Sequence, residues 1–295
     1  MNEEKAPQGA VIALGATVII WAYSWIVMKQ VLRYAGPFDF AAIRYSAASA
    51  LLFLVLVAMR RPLAPPPLLG TALVGVSQTA AFQGLGQFAL ISGGAGHVAL
   101  LAYAMPFWAV LLAWMILGER PTGRHWLGLA LAAVGLLFVI APWEGLGSGA
   151  STLYALLGGV FWALGTVLSK RIFQRDRPDP LTFATWQMTF GAIALIVVAL
   201  CVPQRAIEWS PAFIGGLFYS VVLAGSLAWT LWLLVVRRLP TAVASVSSLA
   251  VPVVSVMMAW AILSERPTPS EWIGIAFIVA GLAAVSGIGA KRSPR

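Results

Sequence analysis

The residues able to do chemistry in this 295-residue chain are few, and they are placed where covalent catalysis would not put them. All ten acids (Glu3, Glu4, Asp39, Glu119, Glu144, Asp176, Asp179, Glu208, Glu265 and Glu271) fall in loops or at the ends of long apolar runs. None of the four lysines sits in a Gly-x-x-x-x-Gly-Lys phosphate loop, and no His-Glu-x-x-His pattern occurs. Two histidines cannot furnish a three-histidine metal site, and the lone Cys201 permits neither a disulfide nor a paired-thiol site. A Ser226–His97 pair lies outside any nucleophile motif. The expectation is therefore no enzyme, no metal and no cofactor. What remains suits binding and movement. Trp21, Trp162, Gln78, Tyr103, Tyr219 and Ser247 fall near the middle of apolar runs, where an indole N–H, a hydroxyl or an amide facing hydrocarbon is costly. Pro106 and Pro252 interrupt two such runs, and Lys29, Glu265, Lys170 and Glu119 stand at run ends.

The elements that must position these groups follow from composition. Apolar residues make up 60% and charged residues 10%, against roughly 45–50% and 25% in soluble proteins. So much hydrocarbon with so little charge requires lipid as the solvent. A crossing helix needs about 20 apolar residues, and ten uncharged runs are expected to supply them: 9–29, 38–59, 68–90, 95–117, 123–141, 151–170, 180–201, 211–236, 240–263 and 271–289. Turn signals separate them, among them Gly36-Pro37, Pro65-Pro66-Pro67, Ser92-Gly93-Gly94, Pro178-Asp179-Pro180 and Pro267. The fold class is all-α and membrane-integral. What is left between the runs is too little for a soluble domain.

Charge sets the expected orientation. With the amino terminus inside, fourteen Lys and Arg residues fall on the cytoplasmic side and four outside, so both termini are expected in the cytoplasm. The net charge of +9 is thus accounted for by topology signals rather than by a nucleic-acid partner. The first run lacks a positive start and a clear cleavage pattern, and reads as retained. Arg44, a few residues inside segment 2, is placed to snorkel outward.

The chain repeats itself. Ala104-Met105-Pro106, Ala113-Trp114, Glu119-Arg120-Pro121-Thr122, Trp126, Gly128 and Gly135 recur 146 residues later as Ala250-Val251-Pro252, Ala259-Trp260, Glu265-Arg266-Pro267-Thr268, Trp272, Gly274 and Gly281. A weaker match relates Trp21-Ala22 and Lys29 to Trp162-Ala163 and Lys170. Residues 1–145 and 146–295 thus read as two five-helix units. Five being odd, the second must be inverted relative to the first, the architecture of many secondary transporters. The motifs Trp21…Lys29…Gly36-Pro37…Ala42-Ile43-Arg44-Tyr45 and Pro106…Leu117-Gly118-Glu119-Arg120-Pro121…Gly128…Gly135 resemble the opening and close of the EamA domain of the drug/metabolite transporter superfamily. The second copy has Thr185 where Arg44 would be expected. The resemblance covers nearly the whole chain and implies a ten-helix exporter of small metabolites in the bacterial inner membrane. Within the superfamily the chain is most similar to the YddG-type exporters of aromatic and other neutral amino acids.

On this reading segments 1, 3, 4, 6, 8 and 9 line a pathway and segments 5 and 10 brace it, with Gly128/Gly135 and Gly274/Gly281 allowing close packing. Pro106 and Pro252 are hinges or, alternatively, static kinks. Trp21 and Trp162 face a polar cavity or pack in the core, with Trp108 and Trp229 as weaker candidates. Trp114, Trp126, Trp143, Trp209, Trp260 and Trp272 fit an interfacial belt. Crossed pairs Lys29–Glu265 and Lys170–Glu119 could latch the two ends alternately, or serve as topology anchors and loop caps. With no acid mid-span and His97 read as a solvated helix-start residue, uniport or weakly coupled export is expected. The expected partners are a small amino-acid-like substrate and the lipid bilayer, with the protein a monomer or loose homodimer.

Overall fold

A computed structural model describes residues 8–141, 149–229, 231 and 250–285, and these form helices and their connections with no strand among them. In chain order they are α1 (Gln8–Val31), α2 (Pro37–Ala58), α3 (Leu68–Val74), α4 (Phe82–Ser92), α5 (Ala95–Ala102), α6 (Met105–Leu117), α7 (Gly123–Ile140), α8 (Gly149–Arg175), α9 (Pro180–Cys201), α10 (Pro211–Phe218), α11 (Ala250–Leu263) and α12 (Pro269–Val285). Each expected segment has a helical counterpart, segments 8, 9 and 10 only in part, because residues 230, 232–249 (Ser247 among them) and 286–295 lie outside the described residues. Six spans are long and apolar enough to cross a bilayer. Met115 and Leu200 are 77% and 82% exposed, which water would penalise and lipid does not. The chain is an all-helical, multi-pass membrane protein.

Three departures from the expected spans have physical causes. Segment 4 is two helices: α5 stops at Ala102, Tyr103 and Ala104 form a turn, and α6 restarts with Pro106 in its first turn, where a missing N–H costs nothing. Segments 3 and 8 each contain a π-helical stretch, Gly75–Ala81 and Tyr219–Leu227, at equivalent places in the repeat. Finally, α8 runs to Arg175 rather than 170, because its polar last turns continue the helix beyond the apolar run.

The closing turn of each repeat is built the same way. Gly118 and Ser264 both take left-handed backbone, at φ 70° and 60°, and the N–H groups of Glu119 and Glu265 reach back to Ala113 O and Ala259 O at 3.3 Å. That is a helix end closed by its own carbonyls. The following helix starts on Thr122 in one copy and Thr268 in the other, whose backbone N–H groups are met by His125 Nδ1 (3.0 Å) and Glu271 Oε2 (2.9 Å). Between these turns α7 and α12 pack backbone on backbone. A Cβ on Gly135 would sit 2.9 Å from Gly274 O, and one on Gly281 would sit 2.8 Å from Gly128 O. This pairing of early with late residues makes α7 and α12 antiparallel, so the Glu119 and Glu265 turns lie at opposite ends of the bundle, as an odd helix count per repeat requires. The exposed indoles of Trp114, Trp126, Trp209, Trp260 and Trp272 sit near helix ends. Trp143 lies outside the described residues.

The glycine contacts give a direct test. A methyl group at Gly274 would meet Val139 Cγ2 at 2.5 Å and Gly135 O at 2.7 Å, whereas one at Gly15 meets nothing within 4 Å. Gly274→Ala should lower stability by about 1–3 kcal/mol through overpacking, and Gly15→Ala should leave it unchanged or slightly raised. Thermal unfolding of the purified protein in detergent reads both.

Candidate functional site

The break in segment 4 organises the interior. Pro106 has no N–H for the carbonyl four residues back, Ala102 O, and this carbonyl lies 3.2 Å from where a Cβ on Gly159 would stand. A glycine there lets α8 approach the broken backbone closely. Tyr103, in the break, meets Trp162 edge-on at 5.1 Å and Trp25 at 6.5 Å. Trp162 in turn stacks on Phe82 at 4.6 Å. Trp21 joins the same region, packing with Tyr103 beside Val18, Ala22 and Val251, meeting Trp229 edge-on at 5.6 Å and donating its indole N–H to Ala224 O at 3.3 Å. The result is an aromatic cluster contributed by α1, α4, α8 and the α5–α6 break, with edge-to-face contacts of the kind aromatic quadrupoles favour.

Of the six residues expected to bind substrate, four converge here or next to it. Trp21, Tyr103 and Trp162 belong to the cluster. Gln78 lies on the first π stretch against α8, where its amide approaches Thr166 Oγ1 at 3.5 Å and packs over Gly165. Tyr219, on the second π stretch, is further out. It donates to Ile20 O at 2.7 Å and meets Tyr23 edge-on at 5.2 Å. There it lines a cleft of about 420 Å³ with Tyr23, Gln30, Arg33, Tyr34 and Gly216. Ser247 lies outside the described residues. Pro252 is buried near the start of α11, and residues 232–249 before it are likewise outside them.

The four charged residues expected as latches do not behave alike. Lys170 and Glu119 form a direct ion pair at 2.7 Å, half-exposed on both sides. Lys29 and Glu265 form none. Lys29 Nζ instead donates to Leu90 O and Gly93 O, each at 2.6 Å, and Glu265 Oε2 accepts from Ala95 N–H at 2.7 Å. The cation therefore sits on the carbonyl end of α4 and the anion on the N–H end of α5, each matched to the helix terminus it touches. Ser92-Gly93-Gly94 is the turn between them, and it needs its glycines: a Cβ on Gly93 would fall 2.1 Å from Ser151 Oγ, which donates to Ala89 O. A direct Lys29–Glu265 pair is thus replaced by a grip on the backbone, because two helix ends with unmet groups lie between the two side chains.

Two further expectations are corrected. His97 does stand at the start of α5, as expected, but it is not left to solvent; its Nδ1 lies 2.8 Å from Glu271 Oε1. Arg44 does not snorkel outward: it is only 5% exposed, against Met28 and Tyr45. Sequence reasoning also missed Phe82, Trp25 and both π stretches. Trp25 could have been found as one helical turn on from Trp21, whereas Phe82 carries no signal beyond being apolar.

The geometry defines a class: an all-helical membrane bundle with an aromatic interior, in which the helices α7 and α12 of the two sequence copies run antiparallel. The chain belongs to the EamA-like transporter family, which it matches over residues 8–141 and 150–287. It is 25% identical over 279 residues to the "Uncharacterized transporter YoaV" of Bacillus subtilis (strain 168), covering 90% of this chain and 93% of that one. To the "Probable amino-acid metabolite efflux pump" of Escherichia coli (strain K12) it is 28% identical over 277 residues, covering 90% of each. A solved crystal structure shares the fold, with a TM-score of 0.67 at 18% identity over 94% of this chain and 96% of that one.

The unequal surroundings of Lys29 and Lys170 generate a prediction. Lys29→Met strands two carbonyls and should cost about 1–3 kcal/mol, while Lys170→Met, at an exposed pair, should cost less than about 1 kcal/mol. Equal shifts in unfolding midpoint for the two variants would contradict the backbone-grip geometry.

Proposed function

We propose that this protein exports small amino acids of neutral or aromatic type, or closely related metabolites, across the bacterial inner membrane by alternating access. Its two halves are 1–145 and 146–295, with both termini cytoplasmic, and it works as a monomer or loose dimer without tight ion coupling. The observation that carries the reading is the aromatic cluster around the α5–α6 break, set between equivalent helices whose two ends are held differently. The crossed contacts α1 with α11 and α8 with α6 are repeat mates, yet the α8–α6 end closes on the direct Lys170–Glu119 pair. The other end is gripped through a glycine turn beside an open cleft. Similar halves with dissimilar ends suit a carrier held at one point of its cycle. Relatives named probable amino-acid metabolite efflux pumps support the substrate class.

In this reading Trp21 and Trp162, with Phe82, hold the substrate side chain. The Ala102 carbonyl freed by Pro106 and the aromatic faces receive the ammonium. Gln78, Tyr103, Tyr219 and Ser247 supply the remaining hydrogen bonds. Pro106 and Pro252 act as hinges, and Lys170–Glu119 and the Lys29/Glu265 grip exchange roles as the halves swap conformation.

Counterflow into proteoliposomes with labelled phenylalanine, leucine, adenine and glucose tests it. Phenylalanine or leucine should exchange. Trp162→Ala should lower phenylalanine exchange roughly tenfold, the loss of one aromatic wall. Exchange of adenine or glucose alone would move the reading to another organic metabolite, and exchange of none would end it. Substrate-driven proton flux that vanished in His97→Ala would overturn the absence of tight coupling.

A further inference from the structure

Arg44 lies inside the bundle, with a charge that the described residues do not neutralise. It is 5% exposed on α2, and a guanidinium keeps its proton at any working pH. Its Nη1 reaches only the thioether of Met28, at 3.0 Å, a weak acceptor. Its carbon lies 5.0 Å from the Tyr45 ring centre, and its Nε has no partner. No carboxylate among the described residues pairs with it. The pairs that do form are Arg61–Asp179, His97–Glu271, Lys170–Glu119, Arg175–Asp176 and Arg205–Glu208. A buried cation without a counter-ion is among the costliest arrangements a membrane protein can hold.

The surroundings say what is missing. Tyr219, which lines the 420 Å³ cleft, stands on the π stretch that packs against α2. The next residue, Ser220, is fully buried and its hydroxyl has no partner. Its backbone packs beside Gly225 and Ala48, one helical turn from Arg44 on the same helix. A cation short of an anion on α2 and a buried hydroxyl short of a partner on the π stretch that packs against α2 therefore lie on neighbouring elements, with the Tyr45 ring beside the cation and the cleft-lining Tyr219 next to Ser220 in the chain. The equivalent position in the second repeat is Thr185. It is equally buried, but neutral and satisfied by donating to Leu181 O at 2.8 Å. Only one half carries the charge.

We infer that Arg44, with Ser220, is the subsite for the carboxylate of the transported molecule, which supplies the counter-ion absent from the protein. This rests on the export reading above for its physiological meaning, but the site itself can be tested by binding alone. An arginine offers two parallel N–H donors to a carboxylate, and the Tyr45 ring beside it suits a carboxylate attached to an apolar group.

The probes are 3-phenylpropionate, its primary amide, phenethylamine and inorganic phosphate, added to the purified full-length protein. The readout is the ligand-induced shift in thermal unfolding, fitted to an apparent Kd. The wild type should bind 3-phenylpropionate roughly tenfold to a hundredfold more tightly than the amide or the amine, and Arg44→Met should bring that ratio to about one. If R44M does not yield monodisperse protein, Arg44→Lys carries the comparison. It keeps the charge, loses the paired donors and should reduce the ratio several-fold. A wild type that binds acid and amide alike, a ratio unchanged in a folded R44M or R44K, or a preference for phosphate over 3-phenylpropionate each overturns the inference. Counterflow separates the two readings. Acid-selective binding lost in R44M with no amino-acid exchange leaves this site standing and removes the export reading. Exchange with an unaltered ratio in R44M does the reverse.

Discussion

Hydrocarbon cannot satisfy a backbone amide, so every interruption of a membrane helix must be completed by the protein itself. Most of the polar placements in this chain follow from that constraint. Where α4 gives way to α5, Lys29 takes the carbonyls, Glu265 takes an N–H, and Ser151 takes Ala89 O. Where α5 gives way to α6, Gly159 lets a neighbouring helix come close to the exposed carbonyl. Across the π stretches, Ser77 and Ser226 donate to the backbone of their own segment, and Ala224 O receives the Trp21 indole. Residues that seem at first to be free polar ligands are in several cases already employed in holding irregular backbone together.

That constraint also explains why the interruptions lie where they do. Both π stretches, both prolines and both left-handed turns recur at the same offset in the two copies. A helix that is already broken, with its loose groups already satisfied, can change its angle at less cost than a continuous one. The symmetric features therefore suit motion. The asymmetric ones suit recognition: Tyr103 in one copy only, Arg44 opposite a neutral Thr185, and Tyr219 and Ser220 on one π stretch. A substrate without twofold symmetry is best gripped by groups that the repeat does not duplicate.

The bracing pair shows how little side-chain chemistry a rigid frame needs in lipid. α7 and α12 meet through glycines, with backbone oxygens at distances that exclude a methyl group. Close approach there replaces the hydrophobic driving force, which is weak between helices already surrounded by lipid tails.

Much was legible from the residues alone, because it depends on type and period. Apolar runs of bilayer length, the 146-residue repeat, the Ser92-Gly93-Gly94 break and the bracing glycines required only counting, and Trp21, Tyr103 and Trp162 were found by their depth. Which groups touch could not be counted. Lys29 and Glu265 could equally have paired or served as anchors and caps, and the turn between α4 and α5 decided it by taking both. Arg44 looked able to reach water until α1 closed over it. Phe82 and Trp25 became parts of an aromatic cluster only because a helix ended at Ala102 instead of running on. Sequence settles which solvent each residue must meet, since that follows from its own chemistry. Tertiary structure settles its partner, since two residues far apart in the chain become neighbours only through the packing of everything between them.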